Sequence, residues 1–139
     1  MTTIVKPVLM GYDQLDITEQ REPGPVITAL REANESSEVL RAGGFVWLFR
    51  LGTSDDDPAL AVGVRGEIGA LAWYAGDDEL VPVDGLNEHE ADCYWTWFGH
   101  ESPMPPHSEL SIALVYQVIE EWVSTHRRPR CLRWRSAGE

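Results

Sequence analysis

Cysteine is scarce, long apolar runs are missing and positive charge is thin in this 139-residue sequence. Two cysteines, Cys93 and Cys131, are too few for a disulfide framework, so a reducing compartment is expected and a hydrophobic core must hold the fold. No stretch approaches the ~18 apolar residues of a membrane span. The start, Met1-Thr-Thr-Ile-Val-Lys6, lacks the charged-then-apolar pattern of a secretory signal. The expectation is a cytoplasmic protein that works away from membranes. Missing too are a GxGxxG opening a helix, a phosphate-cradling GxxxxGKS/T, an HExxH and a CxxC, so no nucleotide, zinc or dithiol site is signalled.

Basic residues are few and unevenly placed. Up to His126 there are six of them against 22 acidic residues, whereas the last thirteen residues carry five arginines against Glu139 alone. The net charge is −12. A body this acidic repels nucleic-acid phosphates, which disfavours direct DNA or RNA binding, and it attracts a basic protein partner. Simple solubility is the plainer account of the same charge.

What the chain does have is a composition of 43% hydrophobic residues and six tryptophans, enough for one globular domain over 1–139. Residues 3–9 read as a short strand and 13–24 as a polar loop closed by Pro23-Gly24-Pro25. From Pro25, Val26, Ile27, Leu30 and Ala33 follow helix spacing up to Gly43-Gly44, with a break expected near Asn34-Glu-Ser-Ser37. Phe45–Phe49 is an aromatic and β-branched strand. Ala59–Val64 and Ile68–Tyr74 make a hairpin around Arg65-Gly66, followed by a turn at 75–78, the segment Leu80–Val83 and an open loop from Asp84 to Glu90.

The Cys93–Phe98 run alternates as a strand, which places Trp95 and Trp97 on one face and Tyr94 with Phe98 on the other. Gly99–Pro106 is a proline-rich loop. Ser111 is suited to cap a helix through its hydroxyl. Ile112, Val115, Tyr116, Ile119, Trp122 and Val123 form the apolar stripe of that helix, which Arg127-Arg-Pro129 ends. Cys131–Trp134 alternates as a final strand. The order predicts an α+β fold, an antiparallel sheet with helices packed on it and a C-terminal helix followed by a last strand.

Chemistry is poorly signalled. Cys93 or Cys131 with a histidine would be the acyl-transfer candidates, but a cysteine inside an aromatic strand reads as a small core residue. His89, His100 and His107 with Glu88, Glu90 and Asp92 match no dedicated metal spacing and read as a solvated acidic loop. No cofactor is expected. An enzyme or small-ligand protein using these loop groups, or a regulatory or scaffold subunit, stays open at this point.

The segments Gly69-Ala-Leu-Ala-Trp-Tyr74, Tyr94–Phe98, Ser102-Pro-Met-Pro-Pro106 leading to Glu109-Leu110, and above all Val118-Ile-Glu-Glu-Trp122 through Arg128-Pro129 to Trp134, carry a resemblance. Over about 67–134 the sequence resembles immunity protein family one, partner proteins encoded beside polymorphic toxins of bacteria. His126 stands where glycine is frequent in that family. The resemblance implies a non-enzymatic, cytoplasmic inhibitor that binds and blocks a toxin domain, among them nucleic-acid deaminases and nucleases. Trp134 and Arg128 then belong to the fold rather than to binding. Charge points the same way, because a protein that acts on nucleic acid tends to carry a basic cleft. The partner-binding candidates are Asp77, Asp78, Glu79, Glu88, Glu90 and Asp92, expected to converge with Trp97 as an aromatic anchor and with His100 and Glu101. The Asp55-Asp56-Asp57 turn is set aside as a solvated turn.

Overall fold

The computed structural model describes residues 13–40, 43–96 and 98–138. The expected strand at 3–9 and the side chain of Trp97 lie outside the described residues. The elements run β1 (Gln14–Asp16), α1 (Pro23–Leu40), β2 (Gly44–Arg50), β3 (Ala59–Arg65), β4 (Ile68–Ala75), β5 (Asp78–Pro82), β6 (Tyr94–Trp95), β7 (Glu109–Ser111), α2 (Ile112–Thr125) and β8 (Trp134–Ser136). The fold is α+β, with a C-terminal helix followed by a strand, as expected. The sheet follows the order β1-β2-β3-β4-β5-β8. Its long pairings are antiparallel, and it is mixed because the short strands β1 and β6 both join β2 in parallel. The outer edge of β4 is shared: β5 pairs its Trp73–Ala75 end and β7 its Ile68–Ala70 end.

Alternation along β2, β3 and β4 sends Phe45, Trp47, Phe49, Leu60, Val62, Val64, Leu71 and Trp73 into one core, shared with Val26, Leu30 and Ala33 of α1 and Val115, Val118, Ile119 and Trp122 of α2. The other sheet face carries Val46, Ala61, Ala70 and Ala72, covered by Ala91, Tyr94 and Met104 of the 84–107 segment. The small side chains there let that segment lie close. A Cβ on Gly63 would sit 2.5 Å from a ring carbon of Tyr94.

The expected break in the first helix does not occur. Asn34 turns its amide to the β3–β4 turn instead, donating to Gly66 O at 2.8 Å and accepting from Gly66 N at 2.7 Å. That tertiary contact stabilises the helix across its polar middle, and the helix starts at Pro23, where proline's missing N–H costs nothing. The strand expected over Cys93–Phe98 ends at Trp95. Gly99 adopts φ 84°, and Thr96 N donates to His100 O at 2.8 Å, so the chain reverses and Trp95 faces Glu101. Tyr94 and Phe98 therefore do not share a face: Tyr94 is 0% exposed and Phe98 61%.

The Ser111 hydroxyl makes no cap bond; Ile112 N donates to Glu67 O at 2.8 Å instead. The helix ends before the Arg-Arg-Pro stretch, at His126, whose left-handed conformation (φ 55°, ψ 30°) lets its N–H reach Trp122 O. This is a position that favours glycine, and the His126 ring holds Gln20 O at 2.7 Å. Beyond it, the Glu121 carboxylate accepts from the backbone N–H groups of Arg130 and Cys131. The Cys131–Leu132 stretch is thus a pinned turn, and the final strand begins at Trp134, whose indole donates to Pro129 O at 2.8 Å. The half-buried Trp134 ring packs against the main core. Among the described residues no helix is long and apolar enough to cross a membrane.

Candidate protein-binding face

The 84–107 segment is held on the sheet by a buried carboxylate. Glu109 of β7, 7% exposed, accepts from Arg65 Nε of β3 at 2.7 Å and from the Tyr94 hydroxyl at 2.8 Å. Its backbone N–H donates to Asn87 Oδ1 and its carbonyl accepts from Leu86 N. One residue thereby ties β3, β6, β7 and the start of the crossing segment together. The charge-assisted bond to Glu109 raises Arg65 above the ordinary guanidinium range. Burial first, and Glu109 second, push the Tyr94 phenol well above its usual range. In sequence Glu109 is only the residue after a proline-rich loop, and a strand as short as the three-residue β7 gives no pattern that would mark its role.

Among the described residues, the segment leaves part of the sheet face opposite the helices open as a groove. Asp13, Leu48, Ala61, Tyr74, Ser102 and Met104 line one half, and Leu48, Arg50, Asp55, Asp57, Tyr74 and Gly76 line the other. The halves hold about 240 and 350 Å³, around the lower end of the roughly 300–1,000 Å³ found for enclosed small-molecule pockets. Tyr74 stands directly across from Glu79 in the β4–β5 pairing. Its phenol is pushed up to about 12, by burial first and by the Glu79 carboxylate second.

The sequence-chosen acids do not form one patch. Asp77, Asp78 and Glu79 are exposed at the β4–β5 turn, with Asp78 paired to Ala75. The chain that leads into Glu88 leaves from beside Glu109, which pairs with Ala70. Five residues of strand separate those two points, roughly 17 Å. Glu88, Glu90 and Asp92 are exposed on the crossing segment. His100 and Glu101 are exposed in the turn between Thr96 and Ser102, both of which line the groove. Asp77 follows Gly76 at its other end. The groove thus brings Asp77 near one end and the His100–Glu101 turn near the other. It also brings in Asp55 and Asp57, which their sequence context presents only as a solvated turn; their place beside the groove comes from the folded arrangement of the described strands.

Burial raises the Cys93 thiol, and burial with Glu121 beside it pushes Cys131 up to about 11, which disfavours the thiolates that act as nucleophiles. Among the described residues, no three His, Cys, Asp or Glu side chains gather in a group able to hold a metal ion.

The family model of immunity protein Imm1 matches residues 15–136. That range takes in β1 and α1 as well as the C-terminal half that carries the resemblance. No curated protein matches the sequence. With nearly the whole length matched from β1 to β8, the chain belongs to the Imm1 family of immunity proteins.

Proposed function

We propose that the protein neutralises a cognate toxin by binding it without chemistry of its own, in the cytoplasm, and that the toxin acts on nucleic acid. The observation that carries this reading is the excess of exposed acidic side chains around the face opposite the helices, on a chain of net charge −12. A nucleic-acid-acting domain presents a basic cleft for phosphates, and an acidic surface can compete for that cleft and cover the active site. Asp77, Asp78, Glu79, Glu88, Glu90, Asp92, His100 and Glu101 are the proposed contacts, with Trp97 as an aromatic anchor. Because these acids are spread along the groove and the crossing segment, the contact is proposed to be broad rather than a single pocket.

Co-expression with the toxin domain encoded beside it should give a stable complex and cell survival. His89→Ala, Cys93→Ala and His107→Asn should each leave survival intact; asparagine suits the φ of 65° at His107. A folded variant of this kind that still binds the toxin but no longer protects would contradict a purely binding role.

A further inference from the structure

The groove has a chemistry of its own. Its floor is apolar, built from Leu48, Ala61 and the ring of Tyr74, and Asp13 lines its edge beside Leu48, whose N–H donates to the Asp13 carbonyl at 2.9 Å. The Asp13 Oδ1 atom is buried, and no donor among the described residues reaches it. A carboxylate oxygen that meets no donor leaves its negative charge uncompensated at the groove's edge. At the far end stand Asp55 and Asp57. Arg50 is there too, but its guanidinium is engaged by Gln14 Oε1 at 3.3 Å, Ser54 O at 3.0 Å and Asp55 at 4.0 Å. A cation is therefore the complementary visitor, and the flat aromatic floor selects among cations. A guanidinium stacks on a tyrosine ring and lays its methylenes over apolar surface while donating to a carboxylate; an ammonium is more strongly hydrated and lacks the planar fork.

We propose that this groove receives an arginine side chain from the toxin, stacked on Tyr74 and paired with the Asp13 carboxylate at its edge. The inference rests on the toxin-binding reading above and adds the place and the residue type. It is tested by calorimetry with the purified toxin domain encoded beside this protein, using wild type, Asp13→Asn, Tyr74→Leu and a helix-side control, Glu35→Gln with Glu120→Gln, each checked for an unchanged melt. Each groove variant should bind at least tenfold more weakly and the control within twofold of wild type. If Tyr74→Leu fails to fold, Asp13→Asn at the edge decides. Groove variants that bind like wild type overturn this inference and leave toxin binding standing; a wild-type protein that does not bind the toxin overturns both. Changing the toxin's surface arginines one at a time to lysine should reveal one whose effect disappears in Asp13→Asn, and the lack of any such residue overturns the choice of arginine.

Discussion

Replacing Trp122 by alanine is expected to destabilise the protein by ~3–5 kcal/mol, the range for removing a large aromatic side chain from a core. Trp122 is 0% exposed and bridges both layers. Its indole N–H donates to Phe49 O on β2 at 3.1 Å, and its ring meets Trp73 of β4 edge-on, with centroids 4.9 Å apart and planes at 84°. The substitution loses the buried area, the aromatic contact and the hydrogen bond together, and α2 cannot slide in to fill the space while Ile112 and His126 anchor its ends. Against a total stability of about 5–15 kcal/mol, such a loss leaves little margin. A thermal melt should fall by roughly 10–25 °C. A melt that coincides with wild type would mean that Trp122 does not join the helix layer to the sheet.

Glu109→Ala is expected to be the next most damaging change, at about 3 kcal/mol, because removing one partner strands the other charge. The Arg65 side chain is 36% exposed and can turn partly to water, which places the cost at the low end. Tyr94→Phe removes one donor from the carboxylate and leaves the ion pair in place, and should cost about 1.5–2 kcal/mol. The location of the damage separates this site from Trp122. Loss of Glu109 frees the crossing segment, so hydrogen exchange should quicken at Ala91, Ser102 and Met104, whose amides bond within that layer. Amides at the centre of β3 should follow only the global change. Uniform acceleration across the sheet would show that Glu109 supports the whole fold and does not act as a local clasp.

Local pattern sufficed for some elements and failed for others. The β3–β4 hairpin was legible because Gly66 interrupts two apolar runs, and α2 because its stripe recurs at helix spacing over four turns. The continuity of α1 was not legible: Asn34 suggests a cap or break in sequence, and only the Gly66 turn, thirty-two residues away, gives its amide another use. The end of β6 was hidden by aromatic alternation through Phe98, because Gly99 at positive φ outweighs β-propensity in the residues before it. The acidic candidates were found as runs, but their grouping depends on which part of a sheet face is left uncovered. That is why Asp55 and Asp57 were passed over while Asp77 to Glu79 and Glu88 to Asp92 were joined.

The most direct test of an acidic toxin-binding face is the affinity for the toxin domain at low and at high salt, for wild type and for a variant with Asp77, Asp78, Glu88, Glu90 and Asp92 changed to their amides. Buried acid–arginine contacts slow dissociation and rim acids speed encounter, and salt screens the latter. Wild type should bind tightly at low salt and lose affinity steeply as salt rises. The amide variant should bind at least about tenfold more weakly at low salt, with a shallower salt dependence. Equal low-salt affinities, or a wild-type affinity indifferent to salt, would contradict recognition through this face.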